Sequence, residues 1–193
     1  HVSDPVKTGQ VLYAGACDGA WDLLYSYFDK DSIPTTAGKS FSIKLTADDW
    51  GAAPVPTSGT IATVDKETGK MTEMTAKTDN SGNAEVVMDN AGEFYLSANG
   101  KAESYGSPTS LAGALTKVTV GLDKTKITKA KAKGKKAVLK WKKVTGAKNY
   151  EIYRSNKKNG RYKKLKTVKK TSYTDKKVKK GKKYFYKVRA IDD

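Results

Sequence analysis

The side chains able to do chemistry are few, and their spacing decides what they can do. The one histidine is His1 and the one cysteine is Cys17. A nucleophile–base pair of the Ser-His-Asp or Cys-His kind therefore has no base within the body of the chain. One cysteine and one histidine also cannot complete a tetrahedral zinc set, and a lone cysteine makes no intrachain disulfide. Gly38-Lys-Ser40 ends like a phosphate loop, but Ile33 stands where that loop needs its first glycine, so a turn into a strand is expected. Asp48-Asp49 beside Trp50 is a carboxylate pair without a readable supporting shell, and reads as a solvated loop. Asp79-Asn-Ser-Gly-Asn83 holds oxygen ligands, yet not at the alternate positions of a helix-loop-helix calcium loop. A glycine hairpin turn accounts for it. Lys44, Asn99 and Glu85 have the residue types of a lysine–asparagine isopeptide crosslink, which needs all three gathered under apolar cover. Nothing here specifies catalysis, a cofactor or a metal, and the chain is expected not to be an enzyme.

Charge supplies the strongest remaining signal. The 193 residues carry a net +17, but unevenly. From Leu122 to Asp193 there are 28 Lys and Arg against five acids, a net of +23, whereas His1 to Gly121 holds nine lysines against fifteen acids, a net of −6. Two domains of different character follow, 1–121 and 122–193, with Gly121 as the pivot. The basic half offers Lys135, Lys136, Lys157, Lys158, Lys163, Lys164, Lys179 and Lys180 as candidate polyanion ligands for teichoic acid, sulfated glycans or nucleic acid. Only Arg154, Arg161 and Arg189 are arginines, which argues against specific nucleic-acid readout, because arginine is the residue that reads base edges in a two-pronged manner. Lysines alternating with apolar residues also protect strand edges and keep the surface soluble.

The elements that must carry these lysines are strands. Ala137, Leu139 and Trp141 alternate with Lys140 and Lys142; Tyr150 pairs with Ile152 on one face, and Tyr184, Tyr186, Val188 and Ala190 on another. Turns fall at Thr145-Gly-Ala147, Lys158-Asn-Gly160 and Lys180-Gly-Lys182. In the first half, Thr60–Val64, Met71–Lys77, Ala84–Met88, Ala91–Ala98 and Leu115–Val120 read as strands, and Pro54-Val-Pro56 as the start of another. Trp21, Leu24, Tyr25 and Phe28 fall at i, i+3, i+4 and i+7, so a short amphipathic helix over Trp21–Lys30, ended by Ile33-Pro34, competes with an aromatic strand. Trp21 and Trp50, with Tyr25 and Tyr27, are candidates for stacking on a sugar. No run approaches the ~20 apolar residues of a membrane span.

The order Ala137-Val-Leu-Lys-Trp141, Gly146-Ala-Lys-Asn-Tyr150-Glu-Ile-Tyr-Arg154, Thr171-Ser-Tyr-Thr-Asp175 and Gly181-Lys-Lys-Tyr-Phe-Tyr-Lys-Val-Arg-Ala190 resembles a fibronectin type III domain, in the lysine-rich form found on surface proteins of Gram-positive gut bacteria. The resemblance implies Trp141 as the core tryptophan and Tyr184 as the corner tyrosine that bonds back to the backbone. It also implies that the domain lacks its last strand, so the chain is expected to be a fragment whose open edge invites strand exchange between copies. Thr78 to Ala98 resembles the TD-x-x-G-x-A-x-V … AG-x-Y-x-x-x-A pattern of bacterial immunoglobulin-like domains. Together these imply an all-β chain: two tandem β-sandwich domains, immunoglobulin-like and then fibronectin type III-like. The expected role is adhesion, spacing or display on a secreted or cell-surface protein, touching other surface proteins, cell-wall polymers or host glycans. The rival roles are a carbohydrate-binding accessory region of a glycan-degrading enzyme, and polyanion binding by the basic half.

Overall fold

The computed structural model describes residues 23–48, 55–104 and 107–193. Trp21, Trp50, Asp49, Cys17 and His1 lie outside them. The described residues form sixteen strands and no helix. The described residues divide into two compact units. One takes residues up to Thr35 with Lys39–Met88 and Gly92–Val120; the other takes Thr36–Gly38, Asp89–Ala91 and Gly121–Asp193.

In the first unit the strands are β1 (Leu23–Phe28), β2 (Ser32–Thr36), β3 (Ser40–Asp48), β4 (Val55–Pro56), β5 (Gly59–Val64), β6 (Met71–Lys77), β7 (Asn83–Val87), β8 (Gly92–Ser104), β9 (Ser107–Ala112) and β10 (Leu115–Gly121). Two long strands stitch this sandwich together by changing partners along their length. β8 pairs with β10 and β5 through its first part and with β9 through Lys101–Ser104. β3 pairs with β7 over Ser40–Lys44 and with β1 over Leu45–Asp48. Period-two alternation explains which side chains go inside. Ile43 and Leu45, Ile61, Val86, Leu96 and Val118 are buried, and Ser42, Lys44, Thr46, Lys117 and Thr119 alternate with them, while Val87 stands exposed beside Val86.

Of the two readings of Trp21–Lys30, helix or aromatic strand, the described residues take the strand. Leu23–Phe28 is a strand with a partner on both sides, antiparallel β3 and parallel β9. Leu24, Ser26 and Phe28 turn inward and Tyr25 outward, so the ladder overrides a helical spacing that would have left both neighbours unpaired. Nor does Ile33-Pro34 end an element: Pro34 sits inside β2, the end strand of its sheet, where a missing N–H leaves no ladder position empty.

The turns follow side-chain chemistry. At Thr78–Asn83 the Asp79 carboxylate accepts the N–H groups of Ser81 and Asn83 at 2.8 and 2.9 Å, and Gly82 takes φ 82°. Asp65 organises the β5–β6 hairpin in the same way, accepting from the Glu67 and Thr68 N–H groups and the Thr68 hydroxyl. Gly38, at φ 77°, makes the turn after which β3 starts at Ser40.

The second unit consists of β11 (Ile127–Lys133), β12 (Lys136–Trp141), β13 (Asn149–Ser155), β14 (Lys163–Val168), β15 (Ser172–Asp175) and β16 (Phe185–Ile191). They make two antiparallel sheets, β11-β12-β15 and β14-β13-β16. Numbered within the unit, first-second-fifth faces fourth-third-sixth, the partition of an immunoglobulin or fibronectin type III sandwich. Leu139 and Trp141 from one sheet meet Tyr150 and Ile152 from the other, joined by Val144. The Trp141 and Tyr150 rings lie 5.5 Å apart at 60°, a tilted contact. The buried Tyr150 hydroxyl accepts the Val144 N–H at 2.9 Å, so one residue fills the core and closes the β12–β13 connection.

Candidate functional site

Strand direction gathers the lysines. β11 and β12 join at a two-residue turn, Gly134-Lys135, with Gly134 at φ 58°. β15 runs antiparallel to β12, so it ends beside that turn. β13 is antiparallel to both β14 and β16, so its end adjoins their starts. The ends of β13 and β15 are tied across the two sheets by Arg154 and Asp175, at 2.8 Å. Hence the β11–β12 turn, the β13–β14 loop and the β15–β16 loop share one pole. Lys135 and Lys136, Lys157 and Lys158, Lys163 and Lys164, and Lys179 and Lys180 all stand on it, and all eight are exposed. Four stretches separated by up to 45 positions in sequence thereby become one basic surface.

The acid nearest this pole is turned inward. Asp175 is only 2% exposed. Its Oδ2 accepts from Arg154 at 2.8 Å and from the Tyr186 hydroxyl at 3.0 Å, and its Oδ1 accepts the Lys177 N–H at 2.9 Å. Burial pushes the Asp175 carboxyl up, but the Lys177 N–H, the Tyr186 hydroxyl and Arg154 outweigh it and hold the group below its ordinary value. Burial and the adjacent Asp175 charge drive the Tyr186 phenol up. Arg154 also donates to the Lys177 carbonyl at 2.8 Å and lies 5.0 Å over the Tyr184 ring. The Tyr184 hydroxyl accepts the Lys179 N–H at 3.2 Å, anchoring the loop that carries Lys179 and Lys180.

Glu151 is a second covered acid, on the outer face of β13. Lys164 donates to its Oε1 at 2.5 Å, while Tyr153 and Arg189 donate to Oε2 at 2.7 and 2.5 Å. The Lys164 contact first, then Tyr153 and Arg189, lower the Glu151 carboxyl to about 2 against the opposing effect of burial. Lys164 is therefore half committed: exposed, yet held to a carboxylate on its own sheet. These two clusters were not singled out from sequence. The available signal was that Glu151 and Asp175 are the only acids between Lys124 and Arg189.

Other sequence candidates are scattered. Lys44 and Glu85 lie exposed on β3 and β7, opposite Asn83 and Ser42, while Asn99 faces Thr60 on β8 and β5. The three share no apolar cover and make no crosslink site. The sugar-stacking candidates Trp21 and Trp50 fall outside the described residues. Tyr25 is 39% exposed, and its ring lies 6.1 Å from that of Tyr27 on the outward face of β1.

No protein-family model matches the chain, and no curated protein matches it. Among solved structures it is similar to domains A168-A170 from titin, at 13% identity and a TM-score of 0.33, over 86% of this chain and 60% of that one. The chain thus spans less than two thirds of that structure's length.

Proposed function

We propose that this chain is a non-enzymatic pair of β-sandwich modules from a secreted or cell-surface protein, serving adhesion, spacing or display. Its basic pole supplies weak, salt-sensitive contacts to acidic cell-wall polymers or host glycans. The observation that carries this reading is the gathering of four lysine pairs at one end of the second unit while the nearby acids are consumed internally. Lysines on loops and hairpin tips are flexible point charges, suited to a repetitive polyanion rather than to a shaped ligand. Two of the three arginines, Arg154 and Arg189, are engaged by Asp175 and Glu151, which speaks against base readout. Contacts of this kind gain strength by repetition along a surface protein.

Titration of the whole chain with teichoic acid, heparin and duplex DNA over a salt series tests the reading. Similar affinity for all three, a steep salt dependence, and a shallower slope after joint replacement of Lys135, Lys136, Lys179 and Lys180 by Gln are expected. A preference of more than about a hundredfold for one duplex sequence would make it a nucleic-acid reader instead. A second reading, neutral-sugar binding by the first unit, is favoured by the outward Tyr25–Tyr27 pair. It predicts salt-resistant retention on a polysaccharide, lost in Tyr25→Ala.

A further inference from the structure

The outer face of the β11-β12-β15 sheet carries charge of one sign. Leu139 and Trp141 are buried, so Lys136, Val138 and Lys140, which alternate with them on β12, face outward. The register carries this face across the sheet. Lys133 lies opposite Lys136, Lys131 opposite Val138, and Lys129 opposite Lys140; on the other side of β12, Val138 lies opposite Thr174 and Lys140 opposite Ser172. Asp175, the only acid on these three strands, is buried opposite inward-facing Ala137. Five exposed lysines thus share a face without a carboxylate, and none of them makes an ion pair among the described residues. Two pairs, Lys129–Lys140 and Lys133–Lys136, stand directly across the ladder from one another, an arrangement that destabilises a sheet. The face also lacks aromatic rings, because Trp141 and Tyr173 belong to the inward side. A repulsion left unanswered within the second unit is relieved by an anion laid over it.

We propose that this face binds a polyol phosphate polymer, with three carbons between successive phosphates, laid along β11. It rests on the polyanion reading above, and adds to the pole a second, flatter surface and a defined polymer. Alternate residues of a strand are separated by six backbone bonds, roughly 7 Å when extended. Phosphorus atoms joined through a three-carbon polyol are also separated by six bonds, P–O–C–C–C–O–P. Each phosphate of an extended chain therefore falls beside Lys129, Lys131 and Lys133 in turn. Lys140 and Lys136 flank the first and last of these phosphates from β12, so the opposed lysine pairs become two-sided clamps. A nucleic-acid strand has the same six-bond repeat, but its bases find no ring to stack on here.

The test titrates the full chain, isotopically labelled, with a short poly(glycerol phosphate) and with single-stranded DNA of equal phosphate number. Amide shifts centred on Ile127–Lys133 and Lys136–Trp141 are expected, with the glycerol polymer bound at least about tenfold more tightly than the DNA. Joint replacement of Lys129, Lys131 and Lys133 by Gln, all at exposed positions, should lower the slope of log affinity against log salt by about 2. Lys140→Glu gives Lys129 a partner of opposite charge. It should raise the unfolding midpoint of the free chain at low salt while weakening the polymer at least about tenfold, opposite changes that a structural role alone does not produce. Shifts confined to the lysine loops of the pole would overturn this face as the site and leave the polyanion reading standing. Failure to bind any polyanion would overturn both. Equal or tighter binding of the DNA, an unchanged salt slope in the triple variant, or a lower midpoint in Lys140→Glu would each overturn the proposal alone.

Discussion

Arg154 and Asp175 form an ion pair of 2.8 Å that joins the end of β13 to the end of β15, and so ties one sheet of the second unit to the other. Neither strand is hydrogen-bonded to the other, so side chains alone make this link. Replacing Asp175 by Ala leaves a part-buried guanidinium and the Tyr186 hydroxyl without their shared acceptor. The expected loss is about 3 kcal/mol, of the size seen when one member of a buried pair is removed. Denaturation followed by amide exchange at Leu139 and Ile152 measures it; a loss below about 1 kcal/mol would show that the pair is solvated in solution.

Acid should weaken the second unit in a defined window. The folded state holds Glu151 at about 2, below its ordinary 4.5. Above 4.5 the carboxylate is ionised in both states and its stabilisation is complete. As pH falls from 4.5 toward 2 the unfolded chain binds the proton first, so stability declines. Asp175, also lowered, adds to the same decline. Glu151→Gln should flatten the pH dependence of the unfolding midpoint in that window, and an unchanged profile would remove Glu151 as a cause.

Two tyrosine hydroxyls, of Tyr150 and Tyr184, accept backbone N–H groups and should differ in worth. Tyr150→Phe strands the Val144 N–H inside the core, at a cost of about 2 kcal/mol. Tyr184→Phe releases the Lys179 N–H to water at the surface, at about 0.5–1 kcal/mol. Equilibrium unfolding of the two variants side by side provides the comparison, and the reverse order would contradict the burial argument.

In the first unit, Gly82→Ala should be among the most damaging small changes. Gly82 sits at φ 82°, and a Cβ there would stand 2.2 Å from the Leu45 carbonyl oxygen. That carbonyl belongs to the backbone, and the Gly82 carbonyl in turn accepts the Leu45 N–H at 2.8 Å, so neither side can give way without loss. A destabilisation of more than about 2 kcal/mol is expected from strain in the left-handed region plus the contact. Thermal unfolding of the first unit checks it.

Much of the layout was legible because strand periodicity is local. The alternations at Ala137–Trp141, Asn149–Ile152 and Tyr184–Ala190, and the Asp-led glycine turns, specify direction reversal and a buried face without reference to distant residues. Trp21–Lys30 was not legible in this way, since its apolar spacing fits a helix and a strand equally. The choice lay with β3 and β9, which offered hydrogen bonds to both of its edges. The partners of Glu151 and Asp175 were equally hidden: Lys164, Arg189 and Arg154 are three cations among 28, and which of them meets an acid depends on strand register.

By itself, then, the sequence determined an all-β chain of two charge-distinct halves whose lysines face outward, because alternation and net charge are properties of neighbouring residues and of sums. Only the tertiary structure decided that four separate lysine pairs stand on one pole, that Asp175 is held inside the fold by Arg154, and that Glu151 is held on the outer face of β13 by Lys164 and Arg189. Each of these depends on which strands pair and in which register, a long-range choice settled by the joint burial of residues far apart in the chain.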